Sequence, residues 1–159
     1  MNTEKFIEIV HESKKELVSL GLKIGEVARI YFFESDKKGE IAGCEGEGEF
    51  TLVFNEKFLK MKEDDYRLRS TVYHELIHTV PKCHTHGKTF KAFSRKVHEE
   101  TGINPMIHVQ DFWKTKDFKI EIVCECGCSF FLSEEQEDDL KKYRFLCGYC
   151  GKEFKKKEG

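Results

Sequence analysis

Residues 72–90, "VYHELIHTVPKCHTHGKTF", place four histidines within thirteen positions, and two of them flank a glutamate as His74-Glu75-x-x-His78. In an α-helix, which turns 100° per residue, His74 and His78 lie about 40° apart on one face. Apolar residues fill most of the remaining circumference: Leu68, Val72, Tyr73, Leu76, Ile77 and Val80. The pattern therefore predicts an amphipathic helix from about residue 64 to residue 80, where Pro81 ends it.

The polar face of this helix has the chemistry of a catalytic metal site. Two imidazoles one turn apart suit a single zinc ion, with each nitrogen about 2.0–2.1 Å from the metal. Glu75 points about 100° away from His74, so it reaches a water molecule on the metal more easily than the metal itself. We therefore predict a zinc hydrolase in which the metal holds and acidifies water and Glu75 is the catalytic general base.

The residues alone leave the third ligand open. His84 follows His78 at the outer spacing of the metzincin pattern, but Pro81 stands where that pattern has a glycine. Glu99 or Glu100, on a helix predicted from about residue 88 to residue 100, offers a carboxylate of the gluzincin type. His86 precedes Gly87 at the start of that same helix, and Phe90 would pack beneath it.

The rest of the chain reads as a mixed α+β protein. Helical periodicity covers about residues 4–20, and "VARIYFFE", residues 27–34, has the β-branched and aromatic composition of a strand. Residues 41–55 predict one or two further strands, of which "FTLVFN" is the clearest. From about residue 119 the pattern changes to short strands around cysteines, which indicates a second, small module.

Seven cysteines are present, and five of them fall between residues 124 and 150. In a cytosolic chain such clustering indicates a metal site rather than disulfides, whereas Cys44 and Cys83 stand alone as free thiols. Cys147-x-x-Cys150-Gly has the form of a zinc knuckle. The other half offers Cys-x-Cys-x-Cys, so the residues allow either of two pairs: Cys124 with Cys126, or Cys126 with Cys128.

Composition excludes several classes of protein. The chain is 39% hydrophobic and 35% charged with a net charge of −2, so its bulk charge does not attract nucleic acid, although the end "KEFKKKE" is locally basic. It has no apolar run of membrane-spanning length, and its first residues are too polar for a signal peptide. We therefore predict a cytoplasmic protein with no membrane partner.

"HELIH" followed by a short loop and "HGKTF" resembles the SprT-like family of zinc metalloproteases, which includes the Spartan-type proteases. That family pairs His-Glu-Leu-x-His with a later His-Gly-x-x-Phe or His-Gly-x-x-Trp. "GEGEFTLVFNEKFL", residues 46–59, is similar to the strand that precedes the family's catalytic helix. In zincins an edge strand of this kind can hold an extended substrate by strand addition. The cysteine module resembles the zinc ribbon that follows the catalytic part in many members.

The resemblance implies a role for each matching residue. The ligands of the catalytic zinc are then His74, His78 and His86, with Glu75 as general base and His84 outside the ligand set. Relatives with Cys-x-Cys-Gly favour a structural zinc that leaves Cys128 spare and is held by Cys124, Cys126, Cys147 and Cys150. No separate donor for the transition state stands out, although Arg67, Tyr73 or a ribbon residue are candidates.

The resemblance also implies an architecture and an activity. A zincin-like catalytic domain would occupy residues 1–118, and a four-cysteine zinc ribbon with a basic tail would occupy residues 119–159. The activity is that of a zinc metalloendopeptidase whose substrates are proteins bound or crosslinked to DNA, so DNA–protein crosslink repair and a DNA partner follow from the family and not from the charge. The alternative is a non-catalytic zinc-binding adaptor that binds nucleic acid or protein through its ribbon. Glu75 argues against that alternative, because a purely structural site does not need a carboxylate there.

Overall fold

The computed structural model describes residues 1–109, 112–113, 120–127, 129–132, 137–147 and 150–157, with only the backbone of residues 107–109. The chain divides into two compact units, Met1–Pro105 and Met106–Gly159. The predicted domain boundary between residues 118 and 119 lies outside the described residues and stays a prediction. No helix in the described part of the chain is both long and apolar enough to cross a membrane.

The first unit packs three α-helices and a short 3-10 helix against a three-stranded sheet. Its elements, in chain order, are α1 (Thr3–Ser19), β1 (Glu26–Phe33), β2 (Ala42–Glu47), β3 (Glu49–Asn55), the 3-10 helix (Glu56–Lys60), α2 (Tyr66–Ile77) and α3 (Lys88–Thr101). The α+β class predicted from the sequence is confirmed.

Strand β3 is the central strand of this sheet. It runs parallel to β1 and antiparallel to β2, in the order β1-β3-β2. Its Phe54 is fully buried and its ring centroid lies 4.8 Å from that of Phe6 on α1. The segment "GEGEFTLVFNEKFL", residues 46–59, was expected from the family resemblance to provide a substrate-binding edge strand, but its strand β3 has strands on both sides. The edge strands are β1 and β2, because the long-range parallel pairing of β1 with β3 places β3 inside the sheet.

A tight turn joins β2 to β3 and depends on glycine. Gly46 has φ +120°, and a Cβ there would lie 2.2 Å from the carbonyl oxygen of Glu49. Gly48 also has a positive φ, +76°. Neither the space nor the backbone angle at Gly46 accepts a side chain, so this position of β2 requires glycine.

Helix α2 is shorter than the sequence predicted. Asp65 caps its start by accepting a hydrogen bond from the backbone N–H of Arg67 (2.9 Å). It ends at Ile77 because the N–H groups of Thr79 and Val80 bond back to the carbonyls of Leu76 and Ile77, a tighter pattern than that of an α-helix. Pro81 also disfavours the α conformation of Val80, the residue that precedes it.

The second unit is a small sheet around the cysteines. Its described elements are β4 (Ile107–Val109), β5 (Ile120–Val123), β6 (Ser129–Leu132), α4 (Asp139–Lys142) and β7 (Lys155–Lys156). The strand order is β4-β6-β5-β7, with β4 parallel to β6 and the other pairs antiparallel. Ile122 of β5 is fully buried and supplies part of the unit's apolar core.

Candidate metal centre and active site

The structure brings three of the four clustered histidines to one point. The Nε2 atoms of His74 and His78 are 3.1 Å apart, and that of His86 lies 3.0 Å and 3.2 Å from them. Three nitrogens bound tetrahedrally to one zinc ion would be about 3.3 Å apart, given zinc–nitrogen bonds of about 2.0–2.1 Å. The three imidazoles therefore fit a zinc ion and leave one tetrahedral position for water or substrate.

Backbone carbonyls hold two of these imidazoles in the tautomer that a metal requires. The Nδ1–H of His74 donates to the carbonyl oxygen of Pro105 (2.9 Å), and that of His78 donates to the carbonyl oxygen of Cys83 (2.8 Å). With the proton on Nδ1, the lone pair of each Nε2 points at the common centre. The sequence indicated that Cys83 is a free thiol, and its contact with the site is made by its backbone carbonyl.

An aromatic ring supports the three imidazoles from below. Phe90 of α3 is fully buried, and its ring centroid lies 4.9 Å from that of His74, 4.6 Å from that of His78 and 5.0 Å from that of His86. Burial lowers the pKa of both His78 and His86. The lowered pKa favours the neutral form of these two imidazoles, which is the form that metal binding requires.

Glu75 lies in the same cleft with little access to water. Its side chain is buried, and this desolvation raises the pKa of its carboxyl to about 8. A carboxylate of raised basicity is a better proton acceptor, and a cation bound by the neighbouring imidazoles would favour its ionised form. Burial and the charge of Glu75 together raise the pKa of the Cys44 thiol, which lines this cleft, to about 12.

The other candidate ligands lie outside the triad. His84 is exposed and lines the cleft, but the two groups of side chains among the described residues that could hold a metal do not include it. Glu99 and Glu100 are exposed on α3 and belong to neither group. The geometry therefore favours His86, although its role as a ligand stays a prediction.

Neither residue suggested as a transition-state donor lines the cleft. Arg67 pairs with Asp65 through two hydrogen bonds, from Nε to Oδ1 (3.0 Å) and from Nη2 to Oδ2 (2.8 Å). The hydroxyl of the fully buried Tyr73 donates to Glu16 on α1 (2.5 Å). Both side chains stabilise the start of α2 or its packing on α1, so both suggestions lose support.

The wall of the cleft opposite α2 is the edge strand β2. Its residues Ala42, Gly43, Cys44 and Gly46 face a cavity of about 230 Å³ that His74, Glu75, His78 and His86 also line. Because these β2 side chains are small or absent, the strand backbone is accessible from the cleft. Sequence reasoning missed this wall, although the repeated small residues of "IAGCEGEG" were a signal for it.

Comparison with known proteins agrees with this geometry. The model of the SprT-like family matches residues 8–110, which is more than half of the chain. This chain belongs to the SprT-like family. Proteins of this family are generally of the metalloprotease type. Searches of curated proteins and of solved structures found no match.

In this SprT-like protein, a ladder of polar contacts joins α2 to the segment after α3. Tyr66, Ser70 and His74 follow one another at four-residue intervals along one face of α2. The Tyr66 hydroxyl accepts a hydrogen bond from the N–H of Asn104 (2.7 Å), and the Ser70 hydroxyl donates to the carbonyl of Asn104 (2.6 Å). The next residue, Pro105, orients His74, so the ladder fixes the carbonyl that holds this ligand.

We expect Ser70→Ala to weaken zinc binding without touching a ligand. The change removes the donor to a buried carbonyl, which costs about 1–3 kcal/mol of unfolding free energy, and loosens the segment that orients His74. Since outer-shell partners of zinc ligands contribute about 10–100-fold to metal affinity, a loss of about tenfold is expected from this more distant position. Competition with a chelating dye measures the affinity.

Ser94→Ala is the matched control for that substitution. Ser94 is as buried as Ser70, but its hydroxyl has no hydrogen-bond partner in the described structure. The control should keep the zinc affinity of the unchanged protein. Equal affinities for both variants would show that the ladder does not position His74.

The ribbon of this family member holds a second candidate metal centre. Its sulfurs are close together, with Cys124 Sγ 3.1 Å from Cys150 Sγ and Cys126 Sγ 3.6 Å from Cys147 Sγ. Sulfurs bound tetrahedrally to zinc lie about 3.8 Å apart, given zinc–sulfur bonds of about 2.3 Å. Four cysteines leave no open position, so this set suits a structural ion. Cys128 lies outside the described residues.

Both halves of this cluster turn at a glycine. The N–H of Gly127 donates to the carbonyl of Cys124 (2.9 Å), and the N–H of Gly151 donates to that of Cys147 (2.8 Å). Both glycines have positive φ, +96° and +74°. The turn at Cys-x-Cys closes over three residues and that at Cys-x-x-Cys over four, so each half places its glycine directly after its second cysteine. Hydrogen bonds from the Cys124 thiol and from the backbone N–H of Lys152 lower the pKa of Cys150.

We expect Cys126→Ser to release the ribbon's zinc ion and to unfold the second unit. A module this small depends on its metal for folding, because its core alone buries too little apolar surface. Cys128→Ser is the matched control and should retain the ion. Zinc content and circular dichroism measure both effects. If the Cys128 variant lost zinc and the Cys126 variant retained it, Cys128 and not Cys126 would be the ligand.

Proposed function

We propose that this protein is a zinc-dependent endopeptidase that cleaves extended polypeptides in the cleft between α2 and β2. One observation carries the proposal. Three imidazoles converge, with their Nε2 atoms 3.0–3.2 Å from one another, beside a buried glutamate in a cleft with an edge strand as its wall. A purely structural metal site needs neither the fourth position that is left open nor the glutamate.

The residues of the cleft divide the chemical work among them. A zinc ion held by the three imidazoles would supply a Lewis acid for the scissile carbonyl and the attacking water. A carboxylate oxygen of Glu75 accepts the proton of that water and then delivers it to the nitrogen of the departing amine. The thiol of Cys44 stays protonated, because burial raises its pKa to about 12, and so does not compete as a nucleophile.

The edge strand orients the polypeptide. On its outer side, the backbone N–H and C=O groups of β2 have no strand partner among the described residues. An extended segment can therefore pair with β2 and place one of its peptide bonds beside the imidazoles. This mode favours unfolded segments, because a folded protein does not offer a free strand.

The test is hydrolysis of an unfolded protein by the zinc-loaded enzyme. We expect fragments to appear with zinc, to disappear after treatment with a chelator and to return when zinc is added back. A compact folded protein of similar size should resist cleavage. Hydrolysis that survives complete removal of zinc would contradict the proposal.

We propose further that proteins bound or crosslinked to DNA are among the substrates. This step rests on the family and not on charge. Several lysines of the second unit pair with its own carboxylates: Lys152 with Glu125, Lys156 with Glu137 and Lys157 with Glu121. A DNA-binding protein should be cleaved faster with single- or double-stranded DNA than without it. Equal rates would contradict the proposal about DNA-bound substrates but would not contradict the proposed peptidase activity.

A further inference from the structure

A second cavity opens beside the metal cleft. It has a volume of about 480 Å³, which lies in the range of ligand-binding pockets, about 300–1,000 Å³. Gly46, Phe50, His78 and His84 line both this cavity and the metal cleft, so the two are continuous. Because His78 is one of the three imidazoles, anything at the metal centre lies next to the mouth of this cavity.

The cavity has an apolar wall and small residues where a side chain would fill it. Phe50, Val80 and Pro81 provide the apolar surface, and the backbones of Gly25 and Gly46 leave the space open. Gly25 is held in place, since its N–H donates to the hydroxyl of Thr79 (2.9 Å) and a Cβ on it would lie 2.5 Å from the ring of Phe50. A methyl group at Gly25 would therefore displace the Phe50 ring.

The charges around the cavity indicate what it rejects. Lys23, Lys82 and the acidic residue Glu47 are exposed and line the cavity, and none of the three has an ion-pair partner among the described residues. Lys82 has φ +68°, a conformation that is uncommon for a residue with a side chain. Two cations against one carboxylate leave the charged groups of the lining with a net positive charge, so lysine and arginine side chains of a substrate are disfavoured here relative to apolar ones.

We propose that this cavity is a specificity pocket that takes a large apolar side chain, of leucine, methionine or phenylalanine, from a substrate residue directly flanking the cleaved bond. The inference rests on the proposed peptidase function and adds its substrate class. Residues of an extended chain are about 3.3 Å apart, so only a residue next to the scissile bond can reach from the imidazoles into a cavity that His78 borders. Phe50 sets the size of the pocket, and Lys82 helps to exclude lysine and arginine side chains of the substrate.

Profiling of cleavage sites in a library of mixed peptides tests this inference. For the zinc-loaded protein we expect large apolar residues to be favoured over alanine by at least about tenfold at a single position flanking the cleaved bond. Phe50→Ala should shift that preference toward larger side chains, and Phe50→Trp toward smaller ones. Lys82→Glu should increase cleavage at lysine and arginine several-fold.

Tyr31→Ala is the matched control. Tyr31 is an aromatic residue of the same sheet, lies on β1 and does not line the cavity, so its variant should keep the unaltered profile. Circular dichroism and zinc content show whether the Phe50 variants fold. If the Phe50 variants do not fold, Lys82→Glu still tests the inference, because it changes an exposed loop residue.

The possible outcomes distinguish failure of the specificity pocket from failure of the proposed peptidase activity. Cleavage that depends on zinc and Glu75 but lacks an apolar preference next to the cut bond overturns the pocket and leaves the peptidase standing. So does a preference that Phe50 variants, when folded, and Lys82→Glu leave unchanged. If no peptide in the library is cleaved, both the peptidase and the pocket are wrong.

Discussion

Glu75→Gln should reduce peptide hydrolysis by roughly 10²–10⁴-fold, the usual contribution of a general base. Glutamine has the shape of glutamate, but its amide cannot accept the proton of the attacking water at neutral pH. The three imidazoles, their carbonyl partners and Phe90 are untouched, so both metal groups should still bind zinc. Initial rates on an unfolded protein, with zinc measured on the same sample, give the result.

Glu99→Gln is the control for this substitution, because Glu99 is exposed on α3 and lies outside the cleft. It should keep the full rate. The comparison also separates the peptidase from the non-catalytic adaptor, for which the two variants would behave alike. If the Glu75→Gln protein retained its rate of hydrolysis, Glu75 would not be the general base. Loss of zinc from that variant would show that the carboxylate holds metal.

His86→Ala should release the catalytic zinc and leave the ribbon's zinc bound. Removing one of three protein ligands leaves two imidazoles from a single helix. Since outer-shell changes alone cost about 10–100-fold in affinity, loss of a direct ligand should exceed about a hundredfold. Zinc content after dialysis should fall from two ions per chain to one, corresponding to the two metal groups of the structure. Hydrolysis should stop.

His84→Ala is the control, because His84 lines the same cleft two residues away and does not join the triad. It should keep both zinc ions. The reverse result, in which the His84 variant loses zinc and the His86 variant keeps it, would move the third ligand by two residues and contradict the assigned geometry.

Periodicity was sufficient for the part of the site that one helix carries. His74, Glu75 and His78 share a turn of α2, so their relative positions follow from helix geometry. The Cys147-x-x-Cys150 half of the ribbon could be predicted for the same reason, because it is a local turn, whereas spacing left Cys124 and Cys128 open as partners of Cys126 and only the family resemblance favoured Cys124. For the residues of α2 and for Cys147 with Cys150, the spacing along the chain determines the distance in space.

The remaining features depend on contacts between distant residues. The third histidine is placed by the loop between α2 and α3, where Lys82 has a positive φ and the Cys83 carbonyl holds His78. Spacing therefore left His84, His86 and the glutamates of α3 open, and only the family resemblance favoured His86. The bond between Ser70 and Asn104, 34 residues apart, has no local signature either.

The strand that borders the cleft could not be identified from the sequence either. One or two strands were expected within residues 41–55, but which strand lies at the edge beside the cleft depends on the pairing of β1 with β3 across the fold. Hydrophobic alternation gives the faces of a strand and not its neighbours. The tight Gly46 turn was visible only as a glycine-rich run.

The most direct test of the central claim is the detection of new amino termini by mass spectrometry after an unfolded protein is incubated with the zinc-loaded chain. The account predicts termini at internal peptide bonds for the unaltered protein, and none above background for the chelator-treated protein or for Glu75→Gln. Absence of termini with the zinc-loaded protein, or the same termini with Glu75→Gln, would contradict it.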